Sequence, residues 1–407
     1  MSQINVSTHH TGPLPPLVGP LATPAAQPTA APSPVPSVAT DQYQVQAQVP
    51  QGGDMGPLPW ESAEPPQGPE APFASTPEYQ QLSEPEQATL KAFFETTIQG
   101  KGAEKAAEMA SRLAQLLTQG KFAAKDAFGQ GLMDHLAAFN QAPLNDALQG
   151  RTSKDQLARE LVMAMADPAS VVQGQGTAHC AEATLEATLA YTQPADYARI
   201  ATELVTKGQA RIPGPPGGPN PDTLQLGSKT DLMFMPTNLS AMLQRSFEAR
   251  VAGRPAYWSG GDSGETGPAG LNPLQVKALY DGIIGSDHLT LYAQHGADLL
   301  PAIKQALDHQ GAIKVTMRSE DGLHAVAVTG ISDKGVAIWD PATGKNETLS
   351  PAMFNSLIVR ATLDRKHLDE DTVKRQERAQ WMVYGDESGS FVVPEKGGRL
   401  GARAQDG

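Results

Sequence analysis

The sequence contains almost no cysteine, with Cys180 as the one example in 407 residues. A lone thiol excludes an internal disulfide framework and any metal site built from several cysteines. It leaves the redox compartment open, because a single thiol is compatible with oxidising and with reducing surroundings. The question that remains is whether Cys180 is a small apolar residue in a helix core or a nucleophile.

Basic clusters and long apolar runs are also missing. The formal net charge is −13 and no Lys/Arg cluster stands out, which argues against nucleic acid or an anionic membrane as a partner. No apolar run reaches the length of about eighteen residues that a transmembrane helix needs. The N-terminal stretch lacks the basic region and unbroken apolar segment of a secretory signal peptide. We therefore expect a cytoplasmic protein, or a bacterial effector exported without a signal peptide.

Proline and glycine are abundant but unevenly spread, with 34 prolines and 39 glycines in the chain. Residues 1–77 are rich in Pro, Ala, Gln, Ser and Thr, and such a composition buries too little apolar surface to offset the entropy of ordering. We expect a disordered tail there, either passive or a docking segment for a protein partner. The charged residues 366–407 are expected to form a partly disordered extension.

Between these two terminal segments, the spacing of apolar residues changes once along the chain. Apolar residues at spacings of three and four predict a helical subdomain over 78–150. The stretch GTAHCAEATLEATLAYT predicts a helix capped by Thr177, with Cys180 in its first turn. Further on, AIKVTMR, LHAVAVTGI and GVAIWD alternate with period two around SEDG and SDKG turns, which predicts a three-stranded antiparallel meander. We assign residues 151–365 to one domain, and the fold class is α+β.

Three residues in these elements fit a nucleophile, a base and a group that orients the base. A free thiol has a pKa near 8.5, and the N-terminus of a helix favours the thiolate of Cys180. His324 opens one strand, and Asp340 closes the next after a tight turn. Antiparallel pairing then brings Asp340 opposite or diagonal to His324. A carboxylate there accepts from one ring nitrogen and directs the other toward the sulfur.

The order Cys180, His324, Asp340 resembles the papain-like cysteine peptidases, and more closely their bacteriocin-processing-like bacterial branch. The resemblance covers about residues 150–363, and LLPAIKQALDHQG, the histidine hairpin, WDPATG and SPAMF carry its C-terminal half. It implies a two-lobed fold, with Cys180 in a helical lobe and the other two residues in an antiparallel sheet lobe. It also implies a peptide or protein substrate and no metal or organic cofactor.

The resemblance further implies a glutamine six positions before the cysteine as a donor to the oxyanion. Position 174 is a glycine here, flanked by Gln173 and Gln175. We favour Gln175, because QGTAHC is close to the Gln-Gly pair that leads into the family's cysteine. The backbone N–H of Cys180 is the expected second donor.

The sequence thus predicts a cysteine peptidase that hydrolyses peptide or isopeptide bonds through a thioester acyl-enzyme. Two alternatives stay open. One is a transglutaminase, deamidase or acyltransferase that uses the same triad, and the other is a catalytically inactive papain-like effector or binding module. Each residue also has a purely structural interpretation, with Cys180 and His324 as core residues and Asp340 as the cap of a turn.

The other histidines are not expected to act in the chemistry. His179, beside Cys180, points elsewhere on the helix and is not expected to be the base. His288 and His295 stand seven positions apart, and no further ligands for a metal are clear nearby.

Overall fold

The structure is a computed structural model that describes residues 73–174, 177–218, 222–227, 232, 237–252, 270–293, 299–319 and 322–375. All of them belong to one compact unit, Met55–Gly407. Most of the expected tail, the chain beyond residue 375 and Gln175 lie outside the described residues. The last residues assigned to the tail, 73–77, are described, and Phe73 among them is buried against the rings of Tyr79 and Phe94.

The described helices begin and end near residues that the sequence marks. Ser83 precedes α2 with a capping box, Asn272 caps α9 through the backbone N–H of Gln275, and Gly311 ends α10 in the left-handed conformation. The helices are α1 (Pro77–Gln80), α2 (Glu84–Ile98), α3 (Ala103–Thr118), α4 (Leu132–Gln141), α5 (Lys154–Ala166), α6 (Cys180–Thr192), α7 (Pro194–Lys207), α8 (Leu239–Ala252), α9 (Pro273–Ile284), α10 (Leu300–Gln310) and α11 (Pro351–Leu357).

The described strands form a two-stranded and a six-stranded sheet, both antiparallel, so the α+β class is confirmed. The strands are β1 (Gln209–Ile212), β2 (Asp222–Gln225), β3 (His288–Tyr292), β4 (Ile313–Ser319), β5 (Gly322–Ser332), β6 (Gly335–Asp340), β7 (Lys345–Leu349) and β8 (Ile358–Asp364). The large sheet has the order β3-β8-β4-β5-β6-β7. Its β4-β5-β6 centre is the predicted meander, and β3 and β7 were not expected.

The two faces of the large sheet pack in different apolar clusters. One face, with Val326, Val328 and Ile338, shares its cluster with Ile303 of α10 and Phe354 of α11. On the opposite face, Ala325, Ala327 and Trp339 join the core formed by the helices. The strands that carry His324 and Asp340 are therefore held between two apolar layers.

Helix α6 lies inside this core. Every residue from 181 to 190 is buried, although only Ala181, Leu185, Thr188 and Leu189 are the expected stripe. Two of its threonines are satisfied within the helix, because the hydroxyls of Thr184 and Thr188 each donate to a carbonyl oxygen one turn earlier. Glu182 is buried, and its Oε2 has no partner among the described residues. A helix enclosed in this way holds its first residue, Cys180, in a fixed position.

The earlier helices share a core with α6 and α7. Leu90 and Phe93 of α2 belong to the same apolar cluster as Leu185 and Tyr197. The apolar core is continuous across residue 150. The domain boundary that the sequence suggests there therefore remains a prediction.

Candidate active site

Cys180 is the first residue of α6, and His179 occupies the N-cap position. The prediction that Thr177 caps the helix is wrong, because its hydroxyl donates to the carbonyl oxygen of Gly174 at 2.7 Å and shapes the preceding turn instead. No described residue accepts from the backbone N–H of Cys180, so this amide is one of the unpaired donors at the start of the helix. The thiol thus lies where the helix dipole favours negative charge.

The strands β5 and β6 bring His324 and Asp340 together through a β-bulge. Regular pairing from the turn would set Ala327 opposite Asp340, which would put Asp340 on the face away from His324. The extra residue Thr329 shifts the register by one, so Ala327 pairs with Trp339 instead. Since a shift of one residue reverses the face of every side chain, Asp340 falls on the face of His324.

The Asp340 carboxylate holds both the histidine and its own turn. Its Oδ1 lies 2.5 Å from His324 Nε2 and also accepts from the backbone N–H of Ala342 at 2.8 Å. Its Oδ2 accepts from the Thr343 hydroxyl at 3.1 Å. The turn-capping interpretation of Asp340 is therefore correct as a description of the structure, and it coexists with the contact to His324.

Cys180 lies beside His324, near the start of β5. The backbone N–H of Ala325, beyond the last residue pair that β5 makes with β6, donates to Cys180 Sγ at 3.4 Å. The His324 side chain lies close enough to the thiol for its charge to act on it. Because Asp340 takes Nε2, the nitrogen left to face the sulfur is Nδ1. The structure therefore joins three of the four residues that the sequence singles out.

The electrostatics of the three side chains are mutually consistent. Burial acts to raise the pKa of the Cys180 thiol, but the hydrogen bonds from His324 and Ala325 and the charge of His324 lower the pKa below its usual value. Burial acts to lower the pKa of His324, but its hydrogen bonds to Asp340 and Cys180 raise the pKa to about 9. Burial acts to raise the pKa of Asp340, and the contact with His324 brings the pKa below its usual value. Together these shifts favour a thiolate–imidazolium pair.

The segment before Cys180 is described except for residues 175 and 176. Gln175 lies outside the described residues, so its role as an oxyanion donor remains a prediction. Gln173 is described: its backbone N–H donates to the carbonyl oxygen of Pro341 at 2.9 Å, and its side-chain Oε1 is buried without a partner among the described residues.

Several contacts around the site have no clear signal in the sequence. His179 Nε2 lies 3.1 Å from Glu248 Oε2 on α8, which agrees with the expectation that this histidine points away from the thiol. Lys314 on β4 is buried and acts on Cys180 through its charge. In the sequence it is one polar residue in an alternating strand, a position that normally faces solvent.

Of the other two histidines that the sequence singles out, the structure describes only His288. His288 Nδ1 lies 3.2 Å from Asp281 Oδ1 and is buried, while His295 lies outside the described residues. Among the described residues, no three His, Cys, Asp or Glu side chains are grouped to hold a metal ion. None of the described helices combines the length and the apolar character needed to span a bilayer.

Comparisons with known proteins do not assign the chain to a family. No protein-family model matches the chain, and no curated protein matches it either.

Proposed function

We propose that the protein is a cysteine peptidase with a papain-like arrangement of its site, in which Cys180 is the nucleophile, His324 the general acid and base, and Asp340 the residue that orients the histidine. One observation carries the proposal. The single cysteine of the chain, at the start of a buried helix, meets a histidine 144 positions away whose other nitrogen is held by a carboxylate at 2.5 Å. A structural cysteine needs neither partner.

The first half of the reaction forms a thioester. The Cys180 thiolate attacks the carbonyl carbon of the substrate, and the carbonyl electron pair moves to oxygen. As the tetrahedral intermediate collapses, the C–N bond breaks and the amine leaves with the proton from His324 Nδ1. The acyl group remains on Sγ, and the imidazole is neutral.

The second half releases the acid. Neutral His324 accepts a proton from water, and the hydroxide formed in this way attacks the thioester carbonyl. Collapse breaks the C–S bond and returns the Cys180 thiolate beside an imidazolium. Asp340 keeps Nε2 protonated throughout and stabilises the positive charge of the ring.

Two groups would stabilise the oxyanion. The backbone N–H of Cys180 has no acceptor among the described residues and lies next to the reacting sulfur. Gln175 is the expected side-chain donor, as proposed from the sequence. Preorganised donors of this kind typically contribute about a hundredfold or more to the rate.

Exposed apolar side chains adjoin the site and favour a peptide substrate. Leu323, which directly precedes His324, is 56% exposed, and Val172, in the segment that leads to Cys180, is 42% exposed. Exposed apolar surface beside a reactive group can receive an apolar side chain of a substrate. We therefore expect an apolar residue close to the bond that is cleaved.

A peptide-library screen with the full chain tests the proposal. The wild-type protein is expected to cleave some members, and Cys180→Ala and His324→Gln to cleave none. Transfer of a labelled amine onto glutamine residues without cleavage would instead support the transglutaminase alternative. Slow alkylation of Cys180 by iodoacetamide at pH 6, no faster than that of a free thiol, would contradict every version that uses this nucleophile.

A further inference from the structure

The face of the large sheet that meets α6 and α9 is apolar on one half and polar on the other. In β3, β4 and β8 the apolar residues, such as Leu289, Val315 and Leu363, belong to the cluster on the far face. The residues between them are polar and buried, and comprise His288, Thr290, Lys314, Thr316, Thr362 and Asp364. A buried interface with so many polar groups is costly unless those groups have partners.

This polar half-face encloses a cavity of about 150 Å³. The strands contribute Lys314 and Thr362 to its lining, α9 contributes Tyr280, and the C-terminal half of α6 contributes Thr188. The cavity also borders Lys366, which is exposed, so it lies close to solvent. The space is large enough for a small ion or several waters.

Lys314 is the strongest indication that the cavity binds a ligand. Its side chain is buried, with a residue exposure of 2%, and no described carboxylate lies within 4.0 Å of its ammonium group. Its Nζ donates to Thr316 Oγ1 at 2.7 Å, and the same oxygen accepts from Arg360 Nε at 3.2 Å. The Lys314 ammonium thus has a neutral hydroxyl as its described hydrogen-bond partner, although a buried charge normally requires a counter-ion. The buried carboxyl group of Glu182 acts on Lys314 through charge without forming a salt bridge.

Two buried hydroxyls beside Lys314 are also without partners. Neither the Tyr280 hydroxyl nor Thr362 Oγ1 has a hydrogen-bond partner among the described residues, and the two residues are 4% and 3% exposed. The acid that borders the cavity, Asp364, is already occupied, because it accepts from Lys366 Nζ at 2.9 Å and from the backbone N–H of that residue. Among the residues that line the cavity, the groups left unsatisfied are therefore a cation and two hydroxyls that can donate.

We propose that this cavity binds a small oxyanion, a carboxylate or a phosphate group, with the Lys314 ammonium as its counter-charge and the hydroxyls of Tyr280 and Thr362 as donors. An oxyanion supplies the acceptors that all three groups lack, and charge-assisted hydrogen bonds to it are about twice as strong as neutral ones. The lining residues of the cavity are not those of the proposed triad, although Lys314 also acts on Cys180 through its charge.

Uptake of protons distinguishes the binding of an anion from the occupation of the cavity by water. Burial and the charge of Arg360 lower the pKa of Lys314 to about 7, against the charges of Cys180 and Glu182, which act to raise the pKa. Besides Lys314 and Tyr280, the titratable side chains that line the cavity are His288, His309, His367, Asp364 and Lys366. A bound anion favours the ammonium form and raises that pKa, so the protein takes up protons as it binds near pH 7. Water in the same cavity produces no such uptake.

Calorimetric titration of the full chain at pH 7 tests the proposal, with inorganic phosphate and acetate as probes and chloride at matched ionic strength as the reference. We expect saturable binding of at least one probe with proton uptake, read from buffers of different ionisation enthalpy. Tyr280→Phe and Thr362→Val should each weaken it about fivefold, and Lys314→Met should abolish binding and uptake. Which probe binds identifies the ligand as a phosphate or a carboxylate.

The matched control is Thr329→Val. Thr329 also has a buried hydroxyl without a partner among the described residues, but it lies on β5 and does not line the cavity. This variant should bind as the wild type does. Absence of saturable binding of both probes, or equal binding by Lys314→Met, would overturn the proposal, provided that circular dichroism shows the variant folded.

Discussion

The backbone N–H of Gln173 donates to the carbonyl oxygen of Pro341 at 2.9 Å, which ties the segment before Cys180 to the turn that holds Asp340. The two segments are far apart in the sequence, yet they border the same reactive group. The position of the nucleophile and that of the residue that orients the base are therefore coupled through one main-chain contact.

The same two segments approach each other at Gly344. Its φ is +68°, and a Cβ there would lie 3.0 Å from Val172 Cγ1 and 3.3 Å from the carbonyl oxygen of Ala169. We expect Gly344→Ala to push the turn away from the segment before Cys180 and to lower both the rate of alkylation of this thiol and kcat/KM. Stopped-flow alkylation and peptide cleavage measure the two effects.

Gly150→Ala is the matched control for that change. Gly150 has a φ of +72°, and nothing lies within 4 Å of its Cβ position. Both variants therefore carry similar backbone strain, roughly 1–2 kcal/mol, but only Gly344→Ala creates the close contact. Equal losses of activity in the two proteins would show that strain alone is responsible.

The thiol of Cys180 is expected to ionise at a lower pH than an ordinary cysteine, because its pKa is held down by His324 and the Ala325 N–H. Iodoacetamide alkylation as a function of pH gives the midpoint, which should lie below that of the urea-unfolded chain, near 8.5. His324→Gln should raise the midpoint, since burial then acts without the imidazolium. Equal alkylation midpoints for the folded and the unfolded chain would contradict a thiolate–imidazolium pair of Cys180 and His324.

Proteolytic activity is expected to decline above pH 9, where His324, with a pKa of about 9, loses its proton. Asp340→Asn keeps an acceptor but removes the charge that raises this pKa, so the declining limb should move to lower pH. Asp340→Ala also removes the acceptor and should lower kcat/KM at the optimum about a hundredfold or more. Asp333→Asn, at the exposed tip of the same hairpin, is the control and should leave the profile unchanged.

The stability of the fold should depend on Glu186, which links three helices. Its carboxylate accepts from Tyr197, Ser240 and Gln244, yet burial dominates and raises its pKa to about 7. The folded chain then keeps a proton that the unfolded chain loses near pH 4.5, so the free energy of unfolding falls as pH rises from about 4.5 to 7, by about 1 kcal/mol per pH unit at most. Urea denaturation of Glu186→Gln should show a flatter dependence.

Glu203 on α7 provides a control of the opposite sign. Burial acts to raise the pKa of its carboxylate, but Lys207 and the Arg211 N–H lower the pKa below its usual value. Its contribution to stability is present above the unfolded pKa and is lost as pH falls. Glu203→Gln should therefore cost stability at pH 7 and little at pH 4, and identical pH profiles for the two variants would refute the assignment of Glu186.

The sequence predicts the hairpin of His324 and Asp340 only in part. The SDKG turn sets Ser332 opposite Gly335, as the structure has it. Continued regularly, that pairing leaves the two site residues on opposite faces, and only the bulge at Thr329 corrects this. Alternation in HAVAVTG does not mark the extra residue, because a bulge is decided by contacts with neighbouring strands and helices.

The polar half-face could not be predicted for a related reason. Alternating polar residues in β4, such as Lys314 and Thr316, suggest a face in water. Whether such a face is covered depends on helices from elsewhere in the chain, and here α6 and α9 cover it. Periodicity within one strand reports that its two faces differ, and it does not report which of them is buried.

The bulge also determines where this hairpin can be lengthened. Residues inserted between Asp333 and Lys334, both exposed, leave Ser332 opposite Gly335 and every later pair unchanged. One residue inserted between His324 and Thr329 would reverse the face of each side chain beyond it. The tip of the hairpin is therefore a position for a reporter peptide that leaves the contact between His324 and Asp340 intact.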